Sequence, residues 1–183
     1  MEEGRNASIF EFLRRAAEEK GARYLLIGGH AVNVYGYSRQ TADLDLLVCK
    51  SAQGLWKNLL LNAGYSLIHE HENFLQFLPG ARFPWPLDLM LTRAETFQKM
   101  LAASQLRLLY GAEVAVPSIE HLIALKLHAL KQNLSHRTLK DFMDVVGLVE
   151  ANQLDLRGAA LQEIFNKFGT EDLYERIRHA CGQ

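Results

Sequence analysis

The chain is short of the residues that mark several protein classes. Its 183 residues hold two cysteines, Cys49 and Cys181, too few for a disulfide framework and too far apart for metal-ligand spacing. Reduced structural thiols and a cytoplasmic setting are the expectation. Four prolines and no Ser/Gly-rich tract exclude a long linker. There is no internal repeat and no low-complexity segment. No apolar run approaches the roughly 20 residues of a membrane span, and the opening Met-Glu-Glu-Gly has neither a cationic start nor an apolar signal core. A membrane is therefore not an expected partner. The formal net charge is −1, so no global field draws the chain to nucleic acid; such a contact needs a local basic patch.

What is present is enough apolar residue, 49%, to build a packed core. Residues 8 to 20 predict an amphipathic helix, with Ser8 as cap, Glu11 three residues on, and Ile9, Phe12, Leu13 and Ala16 at helical spacing. Ala22 to Ile27 read as a buried strand that breaks at Gly28-Gly29 into a short helix through Val34. Asp43 to Val48 form a strand, 52 to 63 a helix, and Tyr65 to Ile68 with Phe74 to Leu78 a strand pair. Pro86 to Leu91 make another strand, 93 to 103 a helix, and Leu106 to Tyr110 with Glu113 to Val116 a hairpin. After Pro117 only helical periodicity follows, over 118–131, 136–150, 158–168 and 170–180. The expectation is an α/β (α+β) chain: a mixed β-sheet flanked by helices in 1–117, then a helical lobe, 118–183, packed on it.

The segment from Tyr24 to Val48, YLLIGGHAVNVYGYSRQTADLDLLV, carries the chemistry. Glycines at the end of a strand let a phosphate approach the backbone, and the helix start after them offers free N–H groups. Asp43 and Asp45, two apart on a strand, project to one side while Leu44 and Leu46 point to the core. Adjacent carboxylates repel each other unless a divalent cation lies between them. Asp88 stands alone among Leu87, Leu89, Met90 and Leu91. If its strand neighbours that of Asp43, three carboxylates converge, as two-metal phosphoryl transfer needs. The alternative for each acid is a solvent-facing position on an edge strand.

The order Gly-Gly, helix, Arg39-x-Thr41-x-Asp43-x-Asp45, then a lone distant acid on a strand, resembles the DNA polymerase beta-like nucleotidyltransferase superfamily. Within it, the likeness is to the AbiEii-type toxin nucleotidyltransferases and their stand-alone relatives. Pro117-Ser118, Leu125-Lys126-Leu127-x-Ala129 and Arg137-x-x-Lys140-Asp141-x-x-Asp144 resemble that family's second signature. The likeness covers roughly 22–150. It implies a minimal nucleotidyltransferase core followed by helices, with Asp43, Asp45 and Asp88 as the metal-binding, catalytic acids for two Mg²⁺ (or Mn²⁺). It also implies nucleotide contacts from Gly28, Gly29, His30, Arg39, Thr41, Lys126, Lys140 and Asp141. The implied reaction moves a nucleoside monophosphate from a nucleoside triphosphate to a hydroxyl on an RNA 3′ end (tRNA in some toxins), a protein or a small molecule. A toxin role would bring an antitoxin partner. Where many members have Ser or Thr after the glycines, this chain has His30, which leaves a degenerate nucleotide- or partner-binding module as the rival reading.

Beside that likeness, the residues have plainer readings. Lys126 follows Leu122 by four and Ile123 by three, so it lies on the inward stripe of its helix and either snorkels out or faces an anion. Arg137, Lys140, Asp141 and Asp144 fall on one arc, with Leu139, Phe142, Met143 and Val146 as the expected apolar side. The bland account of that arc is a solvated face with pairs Arg137–Asp141 and Lys140–Asp144; the sharper one sets it along a cleft, where Lys140 and Asp141 would contact nucleotide or position Lys126. His69 and His71 share a strand face without an evident third ligand, so an exposed hairpin is expected. Trp56, Phe83 and Trp85 read as packing residues.

Overall fold

The computed structural model describes residues 3–132 and 138–183, with side chains from Ile9 onward. Among these residues the order is α1 (Glu3–Lys20), β1 (Leu25–Ile27), α2 (Gly28–Val34), β2 (Leu44–Cys49), α3 (Gln53–Asn62), β3 (Ser66–His71), β4 (Phe74–Leu78) and β5 (Leu87–Thr92). Then come α4 (Ala94–Ala102), β6 (Gln105–Leu109), β7 (Ala112–Val116), α5 (Ile119–Lys131), α6 (Thr138–Ala151), α7 (Ala159–Phe168) and α8 (Glu171–Ala180). The class is mixed α/β, as the change of periodicity at Pro117 predicts. The chain forms two compact units, residues 1–30 with 40–117 and residues 31–39 with 118–183. The segment 31–39, which precedes Pro117 in sequence, thus groups with the later helices.

The first unit is built on a five-stranded sheet of order β1-β2-β5-β4-β3. β2 and β5 run parallel, and every other pair is antiparallel. Parallel neighbours need a long crossover, here residues 50–86, which supply α3 and the β3–β4 hairpin. The alternation of leucine and acid in β2 does what period-2 patterning predicts: Leu44, Leu46 and Val48 are buried, as are Leu87, Leu89 and Leu91 beside them. Helix α1 begins five residues before Ser8, so that serine does not cap it. Its buried stripe is Ile9, Phe10, Leu13 and Ala16. Trp56 on α3 is wholly buried, and its Nε1 donates to the Arg23 carbonyl at 3.3 Å. The β6–β7 hairpin forms a separate two-stranded sheet, with β7 lying against α1 and β1.

In the second unit, α5 packs on α6 and α7, and α6 on α8. Ser118 caps α5 by accepting from the His121 N–H. Tyr37 lies so close to α6 that a methyl on Gly147 would fall 2.3 Å from its ring. The amide of Asn33 clamps the 33–39 turn, donating to the Arg39 carbonyl and accepting from the Arg39 N–H, each at 2.9 Å.

Helix α6 meets its expectation in part: Val146 is buried, Phe142 is half-buried and Asp141 holds Lys126, but the rest of the expected apolar side faces outward. Leu139 and Met143 are 74% and 43% exposed, whereas Asp141 and Asp144 are buried among Val145, Gly147, Leu148 and Val149. The physical reason is that both acids find cations within the same unit. Arg39 grips Asp144 with two parallel bonds, Nε–Oδ1 at 2.5 Å and Nη2–Oδ2 at 2.9 Å. Lys126 Nζ lies 2.7 Å from both Asp141 Oδ1 and Asp144 Oδ2. Two basic and two acidic side chains pair here, and the bonds from Arg39 and Lys126 satisfy the carboxylate oxygens of the wholly buried Asp144. The expected Lys140–Asp144 pair therefore does not form, and Lys140 is exposed. Arg137, its expected pair with Asp141, and the expected helix start at His136 lie outside the described residues.

Candidate active site

The site grows from the sheet register. Asp45 and Asp88 are direct partners across the parallel β2–β5 ladder. Residues opposite each other in neighbouring strands stand on the same face, so the two carboxylates leave the sheet together. Asp43 lies one residue before β2 and on the same side as Asp45. Oxygens of Asp43, Asp45 and Asp88 all lie within 4.8 Å of one another. Asp88 is nearly buried and the other two are half-buried, so the cluster opens to solvent from one side. Carboxylates at this spacing repel, and three hard oxygen donors from two neighbouring strands suit a hard divalent cation.

Three neighbours hold the acids. The Thr41 hydroxyl donates to Asp43 Oδ1 at 3.1 Å. Gln76, opposite Asp88 on β4, donates its side-chain N–H to Asp88 Oδ2 at 3.2 Å and Oδ1 at 3.4 Å. Gln76 escapes a sequence reading, because one amide in the run FLQFL is ordinary strand alternation until the register is known. Gly28 has φ +65, and a methyl there would lie 1.8 Å from Asp45 Oδ2 and 2.7 Å from Asp45 Cβ. Glycine at 28 is thus required by the acid it packs against as well as by its backbone.

The other expected nucleotide contacts are placed as follows. Gly29 and His30 are buried. The His30 ring stacks on Trp85 at 4.3 Å between centroids and meets Phe10 edge-on at 6.1 Å. That aromatic packing gives a histidine at this position a structural role. Arg39, Lys126 and Asp141 belong to the ion network of the second unit, in which Asp141 holds Lys126. Among the described residues, His69 and His71 join no cluster with metal-ligand spacing, and both are exposed.

A mixed sheet that gathers these three acids on one face is consistent with a nucleotidyltransferase fold. The chain belongs to the family described as uncharacterised nucleotidyltransferases, whose sequence profile matches residues 4–183. No curated protein matches it by sequence. Solved structures share its fold. One is ANT(2'')-Ia in complex with adenylyl-2''-tobramycin, with TM-score 0.61 and 15% identity over 95% of this chain and 97% of that one. A second is an antigenic nucleotidyltransferase-like protein from Paracoccidioides brasiliensis, with TM-score 0.60 and 14% identity over 98% and 93%. A third is the lincosamide antibiotic adenylyltransferase LnuA, lincomycin-bound, with TM-score 0.54 and 17% identity over 78% and 95%. At such identities the likeness is one of fold. Among the described residues no helix is long and apolar enough to cross a membrane.

Proposed function

We propose that the chain transfers a nucleoside monophosphate from a nucleoside triphosphate to an acceptor hydroxyl, with Asp43, Asp45 and Asp88 as the acids that hold divalent cations, Mg²⁺ or Mn²⁺. The observation that carries this reading is the convergence of three carboxylates within 4.8 Å from two parallel strands. Cations bound there would neutralise phosphate charge and lower the pKa of the acceptor hydroxyl. The acceptor oxygen attacks the α-phosphorus in line, the bond to pyrophosphate breaks, and Asp88 takes the hydroxyl proton. Gln76 holds Asp88 on the attacking side and Thr41 holds Asp43. Gly28 leaves the space that Asp45 fills, and with Gly29 forms the turn along which phosphates lie. Kinship with AbiEii-type toxins, a tRNA or protein acceptor and an antitoxin partner are the finer parts of this proposal.

The test is incubation of the purified protein with each labelled nucleoside triphosphate, Mg²⁺ and cell extract, reading pyrophosphate release and the labelled macromolecule. Asp45→Asn and Asp43→Asn should keep the circular dichroism of the parent and lose transfer. Parental activity in both would reject the assignment.

A further inference from the structure

The row of residues that contains the acids does not end at Asp88. Read across the sheet, Ile27 lies opposite Asp45, Asp45 opposite Asp88, Asp88 opposite Gln76, and Gln76 opposite His69. The next row on the same face runs Leu47, Met90, Phe74, His71. His69 and His71 are on this face because of a bulge. The register shifts between Leu67 and His69, so that two residues of β3 answer one of β4. Without it, Ile68 would stand opposite Gln76, and both histidines would point to the other side with Leu75 and Phe77. Bulges commonly re-aim side chains beside active sites. The same shift sends Glu70 to the opposite face, where it bonds Lys57 and Gln53 of α3.

The result is a shelf of rings beside the acids. Both imidazoles lie nearly parallel to the Phe74 ring, His69 at 5.1 Å and 11° and His71 at 5.2 Å and 24°. The two histidines are exposed, as is Met90 at 37%. We propose that this shelf binds the terminal bases of a single-stranded RNA whose 3′-hydroxyl is the acceptor, a step that rests on the function proposed above. Strands are about 4.8 Å apart, which puts β3 roughly 10 Å from Asp88. A sugar hydroxyl at the acids and a base on the shelf are compatible with that separation. The chemistry of the shelf favours a flat base over a polycationic small molecule. It offers π-faces, while Glu70 lies on the opposite face and the Glu72 carboxylate, next to His71, is taken by Lys50. Unstacked bases at RNA ends are held in this way by aromatic and histidine rings, with little dependence on sequence.

The test uses the full chain, a short 5′-fluorescent single-stranded RNA with a free 3′-hydroxyl, and Mn²⁺. Three proteins are compared: the parent, the double variant His69→Ala/His71→Ala, and His69→Phe/His71→Phe, which keeps the stacking surface. Loss of stacking should weaken RNA binding by roughly five- to a hundred-fold in the alanine pair, and the phenylalanine pair should restore it. Mn²⁺ affinity, read by electron paramagnetic resonance, should be the same in all three. Equal RNA affinity in parent and alanine pair overturns the shelf while leaving the metal reading intact. Label transferred in extract to protein or a small molecule, with RNA unlabelled, overturns it as well. Absence of Mn²⁺ binding by the parent overturns the metal reading, and the shelf with it.

Discussion

Replacing Gly28 by alanine separates backbone strain from damage to the acid cluster. Two glycines share nearly the same left-handed backbone, Gly21 at φ +63 and Gly28 at φ +65. A methyl on Gly21 meets nothing within 4 Å, whereas on Gly28 it falls 1.8 Å from Asp45 Oδ2, 2.5 Å from Cγ and 2.7 Å from Cβ. Gly21→Ala therefore reports the left-handed cost alone, about 1–2 kcal/mol. In Gly28→Ala the Asp45 carboxylate can escape by changing rotamer, but its Cβ cannot, so β2 itself must shift by several tenths of an ångström. That adds about 1–3 kcal/mol of overpacking. The total loss, about 2–5 kcal/mol, lowers Tm by on the order of 10 °C in a chain of this size. The decisive readout is the cation site. A partner that only orients a ligand changes metal affinity about 10–100-fold, and displacing the ligand should do at least as much. Mn²⁺ titration followed by electron paramagnetic resonance should show parental affinity in Gly21→Ala and at least tenfold weaker binding in Gly28→Ala. If the two variants bind Mn²⁺ within twofold of each other, the packing of Gly28 on Asp45 does not set the site.

Gln76→Met keeps the volume and removes the donor to Asp88; Mn²⁺ should bind about 10–100-fold more weakly with Tm unchanged, and parental affinity would mean that Asp88 needs no such support. Lys126→Met leaves buried Asp141 without its partner and should cost about 3–5 kcal/mol in urea unfolding; a loss below about 1 kcal/mol would show that this pair does not hold the helices together. Burial holds the phenols of Tyr24 and Tyr65 well above their ordinary value of 10.0. Both stay neutral when folded and ionise more readily when unfolded, so their contribution is complete below pH 10 and is lost as pH rises above it. Thermal melts from pH 9 upward, paired with phenolate absorbance, should show falling Tm before the buried phenols titrate; a flat Tm to pH 11 would contradict their burial.

Much of this could be read from the chain because β2 and β5 obey period-2 patterning. Leucines 44, 46, 87 and 89 announce which way Asp43, Asp45 and Asp88 must face, and the short helix after Gly28 follows from the broken apolar run. Helix α6 could not be read in the same way. Its periodicity offers two stripes, and the apolar one, with Leu139 and Met143, looks like the buried choice. The outcome turned on Arg39, 105 residues from Asp144, and on Lys126 of α5. Pairing at that distance leaves no local mark, and it is why buried acids won over exposed leucine. The packing of His30 was illegible for a related reason. Its stacking partner Trp85 is remote in sequence, so the residue could be judged only by its place after the glycines. The bulge at Ile68 is equally silent in sequence, and with it the side of the sheet on which His69 and His71 emerge.

The one-to-one pairing of Asp45 with Asp88 makes the enzyme far more sensitive to chain length than to chain composition at these two strands. Deleting Leu87 would move Asp88 to the other side of β5, driving its carboxylate into the leucine layer and delivering Leu89 to the acids. Deleting two would restore the side but leave the acids one rung out of step, about 7 Å along the strand. Homologous chains should therefore vary freely in which apolar residues fill β2 and β5, while the number of residues in each strand stays fixed.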